Sequence, residues 1–231
     1  DQSDPESTAL MISTSTTHKT VGFSRNRFVQ VLVAWYAVIW VVTAIAPLDR
    51  KDWFLENLLV VALLAILVGT YRRFPLSDLS YLLITAFMTL HAVGAHYTYA
   101  NVPLGFWIQN AFGFSRNHFD RVVHLSFGLL MAYPIREVFL RVANTRGIWA
   151  YYLPLDVTLA FSALYEIMEM VVATMVAPGT GDAWLGTQGD VWDAQKDMGL
   201  AALGALLCML ITALIRKLRT PRPVLLAGER L

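Results

Sequence analysis

Long apolar stretches alternate with short polar segments along this chain, and six of the stretches are long enough to cross a bilayer. A hydrocarbon core about 30 Å thick takes about 20 residues of helix. The pattern predicts spanning helices over residues 28–47, 53–71, 79–99, 118–140, 148–177 and 190–215. The first is free of charge, and the second carries Glu56 in its first turn. The third holds His91 and His96. The fourth is the least apolar, because Arg121 and Arg136 leave only a short charge-free centre. The fifth contains Asp156, Glu166 and Glu169, and the sixth confines its charges to its first turns. The expected fold is therefore all-α, a polytopic membrane bundle of about six transmembrane helices. Its first and second halves show no internal repeat of the kind seen in many transporters.

Composition supports this reading. The chain is 56% hydrophobic and only 15% charged over 231 residues, where a soluble domain carries about a quarter charged residues. The net charge of +1 gives no footprint for nucleic acid. Cys208 is the single cysteine, which excludes an intrachain disulfide and a cysteine-type zinc site. Residues 1–24, polar and rich in Ser and Thr at the start, lack the apolar core of a signal peptide and read as a disordered cytoplasmic tail. Residues 25–217 form the transmembrane domain, and 218–231 a cytoplasmic C-terminal tail.

Charge bias then sets the expected orientation. Of the 18 Lys and Arg residues, only Arg50, Lys51, Arg116, Arg121 and Lys196 fall on the side opposite the termini. Both termini are expected inside. The outer loop over 100–117 holds Phe106, Trp107, Ile108, Phe112 and Phe114, too apolar for a solvated linker, and is read as an interfacial segment on the outer surface. The loop over 178–189 is rich in glycine and reads as a turn.

The candidate chemistry follows from depth. At about 1.5 Å per residue, His96, His124, Glu166, Glu169 and Asp197 all fall roughly 6–10 Å outward of the midplane, with Asp120 and Asp193 about 14–15 Å outward. Ionisable groups in a bilayer are expensive and tend to be paired and functional. The spacings put these groups on single helix faces. Asp190, Asp193 and Asp197 run i, i+3, i+7 and continue into Ala201 and Gly204, small residues that let helices approach. Asp120, His124 and Gly128 repeat at four, and Glu166 and Glu169 are three apart. His91 and His96 lie about 140° apart around their helix and do not serve one centre.

Imidazole with carboxylates suits a divalent transition metal such as zinc, iron or manganese. The expected ligands are His96, His124, Glu166, Glu169 and Asp197. Asp120 and Asp193 are the candidate catalytic carboxylates, and Asp190 caps the last helix or supports the ligands. Arg116 and Arg121 stand at the mouth as candidates for an anionic substrate group. No nucleotide loop, nucleophile elbow or cofactor fingerprint is present.

Three sequence segments carry a family resemblance: HYTYANVPLGFWIQNAFGFSRNHFDRVVHLSFG over 96–128, LYEIMEM over 164–170 and LGTQGDVWDAQKDMGL over 185–200. Over residues 79–215 the chain resembles the YjdF-type family of bacterial inner-membrane proteins. The resemblance implies a multi-pass protein of the bacterial inner membrane and no particular chemistry. More loosely, the order of His124, Glu166 and the 193–199 segment is similar to that of VanZ-like proteins, which are linked to glycopeptide tolerance. The Arg usual before the last motif of that group is not evident here.

Three functions fit these observations. The first is a membrane enzyme using a metal or a His/carboxylate acid–base set on a lipid-like or amphipathic substrate. The second is a transporter or channel, which needs polar groups through the full depth, whereas the inner half offers only Asp156 and His91. The third is a non-catalytic membrane partner or assembly subunit whose polar cluster is a buried network. Membrane lipids are partners in each case.

Overall fold

The computed structural model describes residues 22–175 and 188–219. Nearly all of the two expected tails, and most of the glycine-rich loop, lie outside the described residues. Among the described residues the regular structure is helical. A 3-10 turn at Phe23–Arg25 precedes α1 (Arg27–Ala44), α2 (Arg50–Tyr71), α3 (Asp78–His96), α4 (Pro103–Phe112), α5 (Phe119–Val142), α6 (Trp149–Met175) and α7 (Asp193–Arg219). All but α4 are long and apolar enough to cross a membrane, so the protein is a bundle of six transmembrane helices.

The sequence marks most helix starts chemically. Asn26 Oδ1 accepts from the Val29 amide at 3.2 Å and opens α1. Asp49 Oδ1 takes the Lys51 and Asp52 amides at 2.7 and 3.1 Å and opens α2. Ser77 caps α3 through the Ser80 amide. Pro103 sits in the first turn of α4, where its missing N–H costs nothing, and Gly113 ends that helix at φ +65. Apolar side chains such as Val31, Val68, Leu210 and Leu214 are more than half exposed, as expected for helices whose outer faces meet lipid.

α5 is the central helix and packs against α3, α6 and α7. Its tightest partner is α7. A Cβ on Gly128 would strike the Ala201 carbonyl oxygen and the Ala205 amide, and one on Gly204 would strike the Leu125 carbonyl oxygen and the Leu129 amide. Two glycines facing each other's backbones thus bring the helices into main-chain contact. One turn from Gly128 stands His124, and the Asp193 and Asp197 stripe of α7 faces the same way.

The two ends of the bundle differ. At the end carrying the start of α1 and the finish of α7, Glu137 of α5 accepts from the Ser77 amide, the Ser77 and Ser80 hydroxyls and Arg141 Nη1 at 2.5–2.8 Å, locking α3 to α5. At the opposite end, the finishes of α1 and α3 and the starts of α2, α5 and α7 carry most of the remaining buried polar groups. The termini end and the site end are named accordingly below.

Candidate metal centre

α7 begins three residues later than expected, at Asp193, and this changes what the first aspartates do. Asp190 lies ahead of the helix. Its carboxylate accepts from the Trp192 amide at 3.1 Å and from Lys196 Nζ at 2.6 Å, and it pairs with Arg121. Lys196, the Trp192 amide and Arg121 hold this carboxyl well below the usual range. Asp193, 5% exposed, receives both ends of the Arg116 guanidinium, with Nη1 at 2.6 Å and Nη2 at 3.3 Å. Arg121 adds a contact at 3.3 Å. The two arginines at the mouth therefore grip carboxylates of this chain, and Arg121 reaches Asp190 and Asp193 rather than Asp120 or Glu169.

This charged layer is roofed by the α4–α5 connection. The Asn117 amide donates to Gln188 Oε1 at 3.1 Å and Gln188 Nε2 donates to the Asn117 carbonyl at 2.9 Å. Asn117 also donates to the Val102 carbonyl, and its side chain lies flat against Gly105, where any Cβ would collide with it. α4 is thus an apolar segment moored across the site end, with Trp107 and Phe112 turned outward.

Beneath the charged layer the arginines run out. His124 Nε2 lies 3.5 Å from Asp120 Oδ1 and 3.5 Å from Glu166 Oε1. Asp120, His124 and Asp197 each offer a ligand atom within 4.8 Å of the others. Asp197 is 2% exposed, and its Oδ1 has no hydrogen-bond partner; Glu166 Oε1 has none either. A buried polar atom without a partner is expensive. Here two such oxygens from α6 and α7 flank one imidazole. Glu169, a turn further along α6, lies beside Glu166 and Tyr165.

Of the expected ligands, the structure brings His124, Glu166 and Asp197 together, with Asp120 among them and Glu169 adjoining. His96 stands apart. Its Nδ1 meets the Thr43 carbonyl of α1 at 2.9 Å, and its ring packs edge-on to Tyr97. In its place sits a group that sequence reasoning passed over. Glu56, 6% exposed, accepts from Tyr165 Oη at 3.0 and 3.1 Å. His91 Nε2 lies 3.3 Å from the Glu56 backbone carbonyl, and Tyr99 Oη lies 2.6 Å from His91 Nδ1. Tyr165 also stands edge-on to His124, with ring centroids 5.8 Å apart. The signal was present: Glu56 follows Asp52 by four residues and faces inward one turn deeper than a capping acid would.

Comparison with known proteins agrees with this architecture. The family model described as "Predicted membrane protein (DUF2238)" matches residues 28–218. The chain is 40% identical over 177 residues to the inner membrane protein YjdF of Escherichia coli strain K12, covering 76% of this chain and 84% of that protein. No solved structure matches.

Proposed function

The chain belongs to the DUF2238 family of membrane proteins, and from that premise we propose that it holds a divalent transition metal and acts as a metal-dependent inner-membrane enzyme on a lipid-like or amphipathic substrate. Asp197 carries the reading. Its carboxylate is buried with an unpartnered oxygen, yet it lies within ligand range of His124 and Asp120. Carboxylates facing one another without a cation repel, and a zinc, iron or manganese ion removes that repulsion. His124, Asp120, Asp197 and Glu166 are the ligands, and Glu169 is the adjoining general base. Such an ion would polarise a carbonyl or phosphoryl oxygen, or supply a bound hydroxide near neutral pH.

The substrate class follows from the surroundings. The group lies within membrane helices, so what reaches it is amphipathic. The excess of Lys and Arg at the termini end supports an orientation with that end in the cytoplasm and the site toward the periplasm. Lys196 is about half exposed at the mouth, where it pairs with Asp190. Toward the termini end, Ala132, Ala205, Cys208 and Met209 close the α5–α7 seam with apolar packing. That favours a one-sided site over a conduit.

The test is elemental analysis of protein purified without chelators. About one zinc, iron or manganese per chain is expected, lost in His124→Ala and in Asp197→Asn and kept in His96→Ala. Wild-type protein that carries no metal and takes none up on titration overturns the reading. Mass spectrometry of lipids in proteoliposomes then separates an enzyme from a non-catalytic partner, which leaves them unchanged.

A further inference from the structure

α1 and α2 meet near the site end, where Trp40 Nε1 donates to Asn57 Oδ1 at 2.6 Å and Trp40 stacks obliquely on Trp53. Toward the termini end they part. Between them lies a cleft of about 1050 Å³, backed by Tyr81, Ile84 and Met88 of α3. That volume matches the upper range of ligand cavities, about 300–1,000 Å³. From Val29 to Trp40 the cleft follows α1 for about 16 Å, the depth of one leaflet's hydrocarbon.

Two observations identify the occupant. The first is charge at the open end. Arg72 lines the cleft, Arg25 and Arg27 flank its Phe23–Ser24 rim, and Arg73 follows. All four are exposed, and none forms an ion pair with a carboxylate among the described residues. This contrasts with the site end, where Arg116, Arg121 and Lys196 are each held by an aspartate. The second is the wall itself, which over that length is built mainly of apolar side chains, among them Leu32, Val33, Ala37, Leu64, Leu67 and Val68, and so suits a hydrocarbon chain.

We propose that this cleft is a binding site for one anionic phospholipid from the leaflet at the termini end. The phosphate sits among Arg25, Arg27 and Arg72, and an acyl chain lies between α1 and α2 along Met88 and Ile84. Guanidinium groups match phosphate oxygens in charge and geometry. The aromatic rim formed by Phe23 and Tyr71, whose rings meet edge-on at 5.9 Å, lies at headgroup depth. The site stands independently of the metal centre and lies toward the other end of the bundle.

Native mass spectrometry of the full chain, titrated with dioleoylphosphatidylglycerol or dioleoylphosphatidylcholine, tests the proposal. The anionic lipid is expected to bind about tenfold more tightly than the zwitterionic one, and Arg25→Gln with Arg72→Gln to abolish that preference. Ala37→Phe, which fills the cleft, is expected to reduce binding of both lipids. Equal binding of the two lipids to wild type, or a preference unchanged in the double arginine variant, overturns the proposal. The arginine side chains are exposed, so those variants decide the question even where Ala37→Phe does not fold. Metal content measured on the same samples is expected to stay at the wild-type level.

Discussion

Arg116 holds Asp193 through both guanidinium nitrogens, although the two residues are 77 positions apart and their side chains are 7% and 6% exposed. A buried ion pair of this kind is weak evidence of stabilisation as a pair. Removing one partner is costly because the other charge stays behind in a dry site. Each of Arg116→Met and Asp193→Leu is therefore expected to lower unfolding stability by about 3–5 kcal/mol. The double variant Arg116→Met with Asp193→Leu is expected to recover most of that loss. A double-mutant cycle by equilibrium unfolding in detergent measures the coupling; additive losses would show that the two groups act separately.

The α5–α7 crossing yields a packing prediction. Gly128 and Gly204 each face the other helix's backbone, which cannot rotate aside as a side chain can. Gly128→Ala and Gly204→Ala are each expected to push the helices apart and cost about 1–3 kcal/mol or more. Gly199, on the same helix but facing open space, is the control, and Gly199→Ala is expected to be neutral or slightly stabilising. Thermal unfolding of the three variants compares them directly. Because His124 and Asp197 lie beside the crossing, the first two variants are also expected to lose metal.

The six spans were legible because a bilayer demands about 20 apolar residues wherever a helix crosses it, whatever the tertiary contacts. Helical periodicity likewise exposed the Asp193, Asp197, Ala201, Gly204 stripe, since a face shared with a neighbouring helix repeats every three to four residues. Depth along the helix, however, says nothing about the direction in which a side chain points around the bundle. His96 lies at the depth of His124 but turns to Thr43 of α1, whereas Glu56 of α2 turns to Tyr165 of α6, with His91 against the Glu56 backbone carbonyl. Pairing was equally hidden. That Arg121 reaches Asp190 and Asp193 depends on where α7 starts, and the three-residue shift moved Asp190 off the helix.

His118 gives a pH prediction at the roof of the site. It sits at the start of α5, and burial, followed by the charges of Arg121 and Arg116, pushes its imidazole below the ordinary value. The unfolded chain then takes up a proton on this group before the folded chain does. Its contribution is complete above about pH 6.5 and is lost as pH falls toward the lowered folded value. Stability is expected to decline between about pH 7 and 5, with a smaller decline in His118→Gln. Asp190 contributes no slope in this window, because Lys196 keeps its carboxylate charged throughout. Melting temperatures of both proteins across the interval test this, and parallel curves would assign the decline to other groups.

Tyr165 separates the two halves of the polar interior, with its hydroxyl on Glu56 and its ring edge against His124. Tyr165→Phe keeps the ring and removes the donor from the Glu56 carboxyl, which is 6% exposed. Leaving a buried acceptor without its partner is expected to cost about 1–3 kcal/mol. In Glu56→Gln the added substitution Tyr165→Phe is expected to cost less, since a neutral amide loses less when its donor is gone. Metal content is expected to remain at the wild-type level in Tyr165→Phe, because the imidazole and the Asp197 carboxylate keep their positions. Loss of metal in Tyr165→Phe at unchanged stability would instead make Glu56 and Tyr165 part of the centre proposed for His124 and Asp197.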